Sequence, residues 1–254
     1  NPTRAFLLAH DTDPFNKWEA GRALAKDVLT RMVTEAAAPD PDYLAGLERV
    51  LADENLDPAF RALVLGLPSE DDLAQTIFDS GRVPDPAAIH AAREALAEAL
   101  AERLESILAR LYEEMETPAP YSPDAASAGK RSLRLACLGL LSRRDGGARA
   151  TLLFENADNM TEELGALGIL LARGIGAAAT AEFYGKWRHD RLVMDKWFMM
   201  QVVQAPPEQM AEVAKSLTEH PDFDWKNPNR FRSVLGGMAA NPAGFHRADG
   251  AGYA

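Results

Sequence analysis

Cysteine and long apolar runs are both scarce in this sequence. Cys137 is the single cysteine in 254 residues, so an internal disulfide is excluded, which is typical of a reducing compartment. We therefore take the cytoplasm as the default location. One of the longest apolar runs, LGALGILLA at 164–172, is well short of the ~20 residues that a membrane-spanning helix requires. The opening residues, NPTRAFLLAH, lack the basic region of a signal peptide.

Positive charge is also in short supply. Lysine and arginine together number 27 against 38 aspartates and glutamates, which gives a formal net charge of -11. Binding to nucleic acid depends on clustered cations that release counterions from phosphates. Anionic membrane surfaces attract polybasic segments for a related reason. The composition therefore argues against a nucleic-acid partner and against a membrane partner.

Patterns typical of β-strands are missing as well. Alanine, leucine, glutamate and arginine dominate the sequence, and these residues favour helices. Capping residues directly followed by proline mark helix starts, because proline has no N–H group to leave unpaired and its φ is already helical. We predict roughly a dozen helices of typical length. The marked starts are Asp13-Pro14, Asp57-Pro58, Asp85-Pro86, Asn227-Pro228 and Asn241-Pro242.

The clearest predicted helix covers residues 85–115. Its apolar residues recur at spacings of three, four and seven, which places them on one face of a helix. Because the stripe has no interruption, we expect this helix to be the longest and to lie across its neighbours, with no break near Leu100. The stripe consists of Ile89, Leu96, Leu100, Leu104, Ile107, Leu108, Leu111 and Met115.

Short loops between successive helices predict antiparallel neighbours, which stack into a superhelix when the series is long. The predicted fold class is all-α: an irregular armadillo-like or HEAT-like superhelix of antiparallel helix pairs. A strict repeat period is lacking, which argues against a regular tetratricopeptide or ankyrin array. The segment TPAPYSPD at 117–124 is either a subdomain boundary or an ordinary loop.

Motifs of catalysis and metal binding are not found. None of the five histidines has another histidine three to five residues away, so no zinc-binding cluster is indicated. His90 and Glu94 are better explained as a surface pair than as metal ligands. Cys137 lies in an apolar helical run and is predicted to be a buried, inert thiol. The sequence has no Walker loop, nucleophile elbow or dinucleotide fingerprint.

Two segments are unusual in composition. The first, GKWRHDRLVMDKWFMM at 185–200, combines two tryptophans and three methionines with a cluster of charges. Its spacing predicts an amphipathic helix whose start is held by a local polar contact of Asp195. The predicted core residues of this helix are Leu192, Val193, Trp197 and Met200.

The second segment, KNPNRFRSVLGG at 226–237, predicts a helix that Asn227 caps. Asn229, Arg230 and Arg232 then fall in the first turn as solvated residues. Against this, a cation in the first turn opposes the helix dipole, so two arginines there call for a partner such as a carboxylate. The residues predicted to face inward are Phe231, Val234, Leu235 and Met238.

Four separated segments resemble one family. NPNRFRSVLGGMAANPAGFHRADGAGY, LVMDKWF, FENADNMTEELGAL and the opening FLLAHDTDPFNKWEAGRAL are similar to the C-terminal helical domain of bacterial aminopeptidase N, a zinc metallopeptidase of the gluzincin group. The resemblance covers nearly the whole of residues 1–254 in the right order. It implies that the chain is truncated at both ends relative to the full enzyme.

The resemblance also implies a division of labour. In the family, zinc is bound by an H-E-x-x-H helix in an upstream thermolysin-like catalytic domain, and nothing here matches that motif. The chain is therefore expected to hold no zinc, to be inactive alone and to have that catalytic domain as its partner. In the family, the helical domain closes over the active-site cavity of the peptidase and limits access to short peptides and flexible N-termini, which are then cleaved by proteolysis.

The resemblance implies three substrate-binding residues, Asn229, Arg230 and Arg232. Arg232 corresponds to an arginine that faces the chamber and is expected to receive a peptide's terminal carboxylate. Positions 230 and 232 are about 200° apart on a helix, so we assign Arg230 to a contact within the domain, with Asp222 or Asp224. The alternative, from the residues alone, is an independent helical scaffold that binds a peptide or protein.

Overall fold

The computed structural model describes residues 2–117 and 120–254, and these residues form helices and no β-strand. The all-α fold class is confirmed. The helices are α1 (Pro2–His10), α2 (Pro14–Glu35), α3 (Pro41–Ala52), α4 (Pro58–Leu65), α5 (Glu70–Asp79), α6 (Pro86–Glu114), α7 (Ala125–Leu141), α8 (Ala148–Asn156), α9 (Met160–Ala172), α10 (Ala177–Trp187), α11 (Arg191–Val203), α12 (Met210–Thr218), α13 (Pro228–Ala239), α14 (Pro242–Phe245) and a 3-10 helix (Ala251–Tyr253).

The predicted helix starts are confirmed. Each capping side chain accepts a hydrogen bond from a main-chain N–H group of the first turn, and proline occupies the first helical position. At α6, for example, Asp85 accepts from the N–H groups of Ala87 and Ala88 at 2.9 and 3.3 Å. A sixth pair, Asp40-Pro41, starts α3 in the same way.

The chain divides into two compact units. The first consists of Asn1–Arg149 and Asp158–Glu162, and the second of Ala150–Ala157 and Glu163–Ala254. The boundary considered at 117–124 falls within the sequence of the first unit, and two of its residues, 118 and 119, lie outside the described residues.

Helix α6 organises the first unit. It is 29 residues long, runs through Leu100 without a break, and contacts α2, α3, α5 and α7. The predicted stripe is buried except at Ile107, which is half-buried. The sequence pattern therefore predicted both the extent of this helix and the side that faces the core.

Cys137 is confirmed as a buried thiol. It is fully buried in α7, and burial raises the pKa of the thiol to about 12. A thiol with so high a pKa is protonated at neutral pH and is a poor nucleophile. In the part of the chain that the structure describes, no helix is long and apolar enough to cross a membrane.

Trp197 anchors the core of the second unit. Its side chain is 6% exposed, and its indole N–H donates to the main-chain oxygen of Thr180 at 3.0 Å. Phe198 packs edge-on against it, with ring centroids 5.0 Å apart. Of the other core residues predicted in α11, Val193 is buried and Met200 half-buried, but Leu192 is 71% exposed. The assignment of Leu192 to the core was wrong.

We expect Trp197→Ala to lower the free energy of unfolding by about 3 to 5 kcal/mol, because it leaves a large cavity and removes the hydrogen bond to the main-chain oxygen of Thr180. Trp225→Ala is the matched control, since Trp225 is 66% exposed and surface substitutions usually change stability by about 0.5 kcal/mol or less. Urea denaturation of the two variants measures the difference. Equal losses of stability would contradict the assignment of Trp197 to the core.

Candidate functional site

The candidate site lies on α13, where the two arginines of the first turn separate. The side chain of Asn227 accepts from the N–H groups of Asn229 and Arg230 at 3.0 and 3.4 Å. Helical geometry then places the side chains of Arg230 and Arg232 about 200° apart. One of the two is buried and the other is exposed.

Arg230 is buried, with 5% of its surface exposed. Its Nε donates to Oδ1 of Asp195 at 2.7 Å, and its Nη1 donates to the main-chain oxygen of Asp222 at 2.5 Å. The guanidinium carbon lies 4.5 Å from the ring centroid of Phe198. The guanidinium is thus held by two elements other than its own helix.

These contacts correct two details of the sequence prediction. Asp222 or Asp224 was expected to offer a carboxylate to Arg230, but Asp222 offers its main-chain oxygen, and the carboxylate comes from Asp195. Asp195 was expected to make a local contact at the start of α11. It instead pairs with a residue 35 positions later in the sequence, because the crossing of α11 and α13 brings the two side chains together.

Arg232 is exposed on the opposite side of α13. Among the residues that the structure describes, none accepts a hydrogen bond from its guanidinium or forms an ion pair with it. Asn229, one turn earlier, is also exposed. Residues three apart on a helix are neighbours, so Asn229 and Arg232 together present hydrogen-bond donors on one surface.

The exposed face of α13 also carries apolar residues that the sequence had placed in the core. Val234 is fully buried and Met238 half-buried, but Phe231 and Leu235 are 37% and 39% exposed. The buried face consists of Arg230, Ser233, Val234 and Gly237. The prediction that Phe231 and Leu235 face inward was therefore wrong.

Close packing against α11 explains why a glycine, Gly237, lies on the buried face of α13. A Cβ atom added at Gly237 would lie 3.0 Å from Cβ of Val202 and 3.3 Å from the main-chain oxygen of Met199. Helix α13 therefore approaches the backbone of α11 too closely for a larger side chain. The adjacent Gly236 and Gly237 are the sequence signal that could have identified the packed side.

Asn241 fixes the other end of α13 to α11. Its side-chain amide donates to the main-chain oxygens of Val202 and Ala205 at 3.1 and 2.9 Å, and its Oδ1 accepts from the N–H group of Gly244 at 3.0 Å. One buried side chain thus pairs carbonyl groups at the end of α11 and an N–H group of α14. Both ends of α13 are held, so its exposed face is presented by a rigid support.

Over residues 2–117 and 120–254, no group of three or more histidine, cysteine, aspartate or glutamate side chains is arranged to hold a metal ion. The first unit has a pocket of about 300 Å³ whose lining includes Trp18, Arg22, Tyr43 and Asp72. The two charged residues in that lining are already paired with each other at 2.8 Å.

Comparisons with known proteins identify relatives. The family described as "Domain of unknown function (DUF3458_C) ARM repeats" matches residues 1–254. Aminopeptidase N of Caulobacter vibrioides is 44% identical over 262 residues, which cover 99% of this chain and 29% of that protein. Aminopeptidase N of Escherichia coli is 35% identical over 259 residues, which cover 98% of this chain and 29% of that protein.

A solved structure agrees. Legionella pneumophila aminopeptidase A, crystallised in complex with aspartic acid, matches with a TM-score of 0.85 and 28% identity over 98% of this chain and 30% of that chain. The chain thus spans less than a third of the length of these relatives. The resemblance to the C-terminal helical domain of aminopeptidase N is confirmed, and the family's ARM repeats agree with the predicted armadillo-like class.

Because Arg230 is buried and Arg232 is exposed, we expect their substitutions to differ in their effect on stability. We expect Arg230→Ala to lower the free energy of unfolding by about 3 kcal/mol, because it leaves Asp195 without its partner in a largely buried position. Arg232→Ala should change it by about 0.5 kcal/mol or less. Urea denaturation of both variants is the measurement. Similar losses for both would show that Arg232 has a structural role.

Proposed function

The chain belongs to the DUF3458_C family of ARM-repeat domains, and on that basis we propose that it is the non-catalytic domain of a zinc aminopeptidase that removes N-terminal residues from peptides. In this proposal the domain closes over the active-site cavity and orients short peptide substrates. The parent protein acts in peptide catabolism in the cytoplasm. Zinc belongs to an upstream thermolysin-like catalytic domain, which is the partner of this chain.

Two observations support a domain role. Relatives named aminopeptidase N match this chain over only 29% of their own length, so most of each relative lies outside the match. The sequence also contains no H-E-x-x-H motif, which is how the zinc ligands of this class of peptidase are arranged. The catalytic groups are therefore assigned to the remaining part of the parent protein.

The exposed guanidinium of Arg232 is the observation that carries the substrate-binding part of the proposal. A peptide whose N-terminus lies at the zinc site leaves its C-terminal carboxylate pointing away from the metal. A guanidinium receives a carboxylate through paired hydrogen bonds. Since Arg232 has no partner within the described part of the chain, it binds a carboxylate without first breaking an ion pair.

The other two candidate residues have different parts in this proposal. Asn229 lies one turn before Arg232 on the exposed side of α13, and its amide N–H group is a second donor for the same carboxylate. The guanidinium of Arg230 already donates hydrogen bonds to Asp195 and Asp222. Its contribution is to hold α13 in the rotation that turns Arg232 outward.

The assignment of catalysis to another domain has a direct test. We expect the isolated chain to hydrolyse no aminoacyl chromogenic substrate and to bind no stoichiometric zinc. We expect the full-length protein to hydrolyse the substrate and to bind zinc. Activity assays and metal analysis of the two proteins provide the measurement. Zinc-dependent activity in the isolated chain would refute the proposal. A full-length protein that lacks both properties would favour the alternative, an independent scaffold for a peptide or protein partner.

The role of Arg232 is tested in the full-length enzyme. A hydrogen bond to a charged group contributes roughly 1.5 to 3 kcal/mol, so Arg232→Ala should raise KM for short free peptides on the order of ten- to a hundredfold. The effect should nearly vanish for peptide amides and chromogenic substrates, because these lack a C-terminal carboxylate. Steady-state kinetics with matched acid and amide substrates measure the difference.

A nearby exposed arginine provides the control. Arg191 starts α11 and is also exposed, so Arg191→Ala removes the same charge from the same unit and should leave the ratio of KM values for acid and amide substrates unchanged. If Arg232→Ala impairs acid and amide substrates equally, the carboxylate contact is refuted.

A further inference from the structure

Two exposed aromatic rings lie beside the arginine site. Trp225 precedes α13 and is 66% exposed, and Phe231 in its first turn is 37% exposed. The two rings are stacked, with centroids 6.3 Å apart and planes inclined by 12°. Single exposed apolar residues are ordinary, but contiguous exposed apolar surface commonly marks a binding site.

Leu235 joins these rings to Arg232. It is 39% exposed, and it follows Phe231 by four residues and Arg232 by three, so its side chain is a neighbour of both on the helix surface. Trp225, Phe231 and Leu235 therefore form one exposed apolar surface with Arg232 at its edge. We call these three residues the aromatic platform.

The aromatic platform has a firm support. Phe223 lies under it, with its ring centroid 6.3 Å from that of Trp225 and 6.1 Å from that of Phe198. The ring of Phe198 in turn packs against the buried guanidinium of Arg230. In the loop before α13, the side chain of Asp224 accepts from the N–H group of Lys226 at 2.9 Å. A surface held in this way binds without the entropy cost of ordering a loop.

We propose that the aromatic platform is a subsite for the side chain of the peptide's C-terminal residue and that it favours apolar, above all aromatic, side chains. The inference rests on the proposed function, in which Arg232 binds the carboxylate of that same residue. In any C-terminal residue the carboxylate and the side chain are attached to one carbon atom. They therefore fit a surface on which a cation and an apolar patch are immediate neighbours.

The charge of the site is complementary to that of a peptide's C-terminal residue. A peptide's C-terminal residue combines one negative charge with an apolar group, and the surface formed by α13 and Trp225 combines the cation of Arg232, which has no partner among the described residues, with three apolar side chains.

The experiment uses the full-length enzyme and four substrates: Ala-Ala-Phe, Ala-Ala-Gly and the amide of each. The parent enzyme should have a lower KM for Ala-Ala-Phe than for Ala-Ala-Gly. Trp225→Ala and Phe231→Ala should each reduce this preference about three- to tenfold, which corresponds to the loss of one aromatic contact. The preference for the phenylalanine amide over the glycine amide should fall as well, because the platform contacts the side chain.

Arg232→Ala separates the inference from the proposed function. It should raise KM for both free peptides and leave their ratio near the parental value. If Arg232→Ala has this effect but the platform variants keep the parental ratio, the subsite is refuted and the carboxylate contact stands. If Arg232→Ala leaves KM unchanged, the carboxylate contact is refuted and the inference falls with it.

Two further results would overturn the inference. One is a parent enzyme that shows no preference between Ala-Ala-Phe and Ala-Ala-Gly. The other is an equal loss on both peptides in the platform variants, which would assign the aromatic rings to contact with another part of the protein. Phe78→Ala is the matched control, because Phe78 is 65% exposed in the first unit. Thermal unfolding of each variant verifies that it is folded, and Phe231→Leu retains apolar bulk if Phe231→Ala is unstable.

Discussion

A buried guanidinium at the start of α13 constrains the surrounding part of the second unit. Removing a cation from water is costly unless opposite charge and hydrogen-bond acceptors replace the water. Arg230 obtains these from the carboxylate of Asp195, the main-chain oxygen of Asp222 and the ring face of Phe198. Because Asp195 lies on α11, the ion pair fixes the rotation of α13 about its own axis.

That rotation determines what α13 presents to solvent. With Arg230 turned toward α11, Gly237 falls on the same side and allows the two backbones to approach closely. Asn241 then pairs carbonyl groups at the end of α11, so the far end of α13 is held as firmly as its start. Arg232 and Phe231 are left on the open side. The same contacts that stabilise the unit therefore position the candidate binding surface.

Local signals in the sequence predicted the helices well. A capping side chain and a proline act within one turn, so Asp85-Pro86 marked the start of α6 whatever surrounds it. The orientation of α13 was not predicted, because its apolar residues and its buried residues centre on directions roughly 100° apart around the helix. Apolar periodicity identifies the core side only where apolar residues fill it. Here Arg230 and Gly237 fill it instead, through contacts with residues distant in the sequence.

The remaining question is why Arg232 has no partner among the described residues although the chain is acidic overall. The net charge of -11 opposes the approach of an anionic peptide over long distances, but salt screens that repulsion beyond about 8 to 10 Å, so close contacts decide binding. Elsewhere, Arg22 and Arg103 are paired with carboxylates at 2.8 and 2.6 Å, and a substrate would have to displace those partners. Arg232, which has no such partner among the described residues, requires no displacement. In the proposed function, structure and binding thus use different arginines of one helix turn, so stability and substrate affinity are expected to respond to different substitutions.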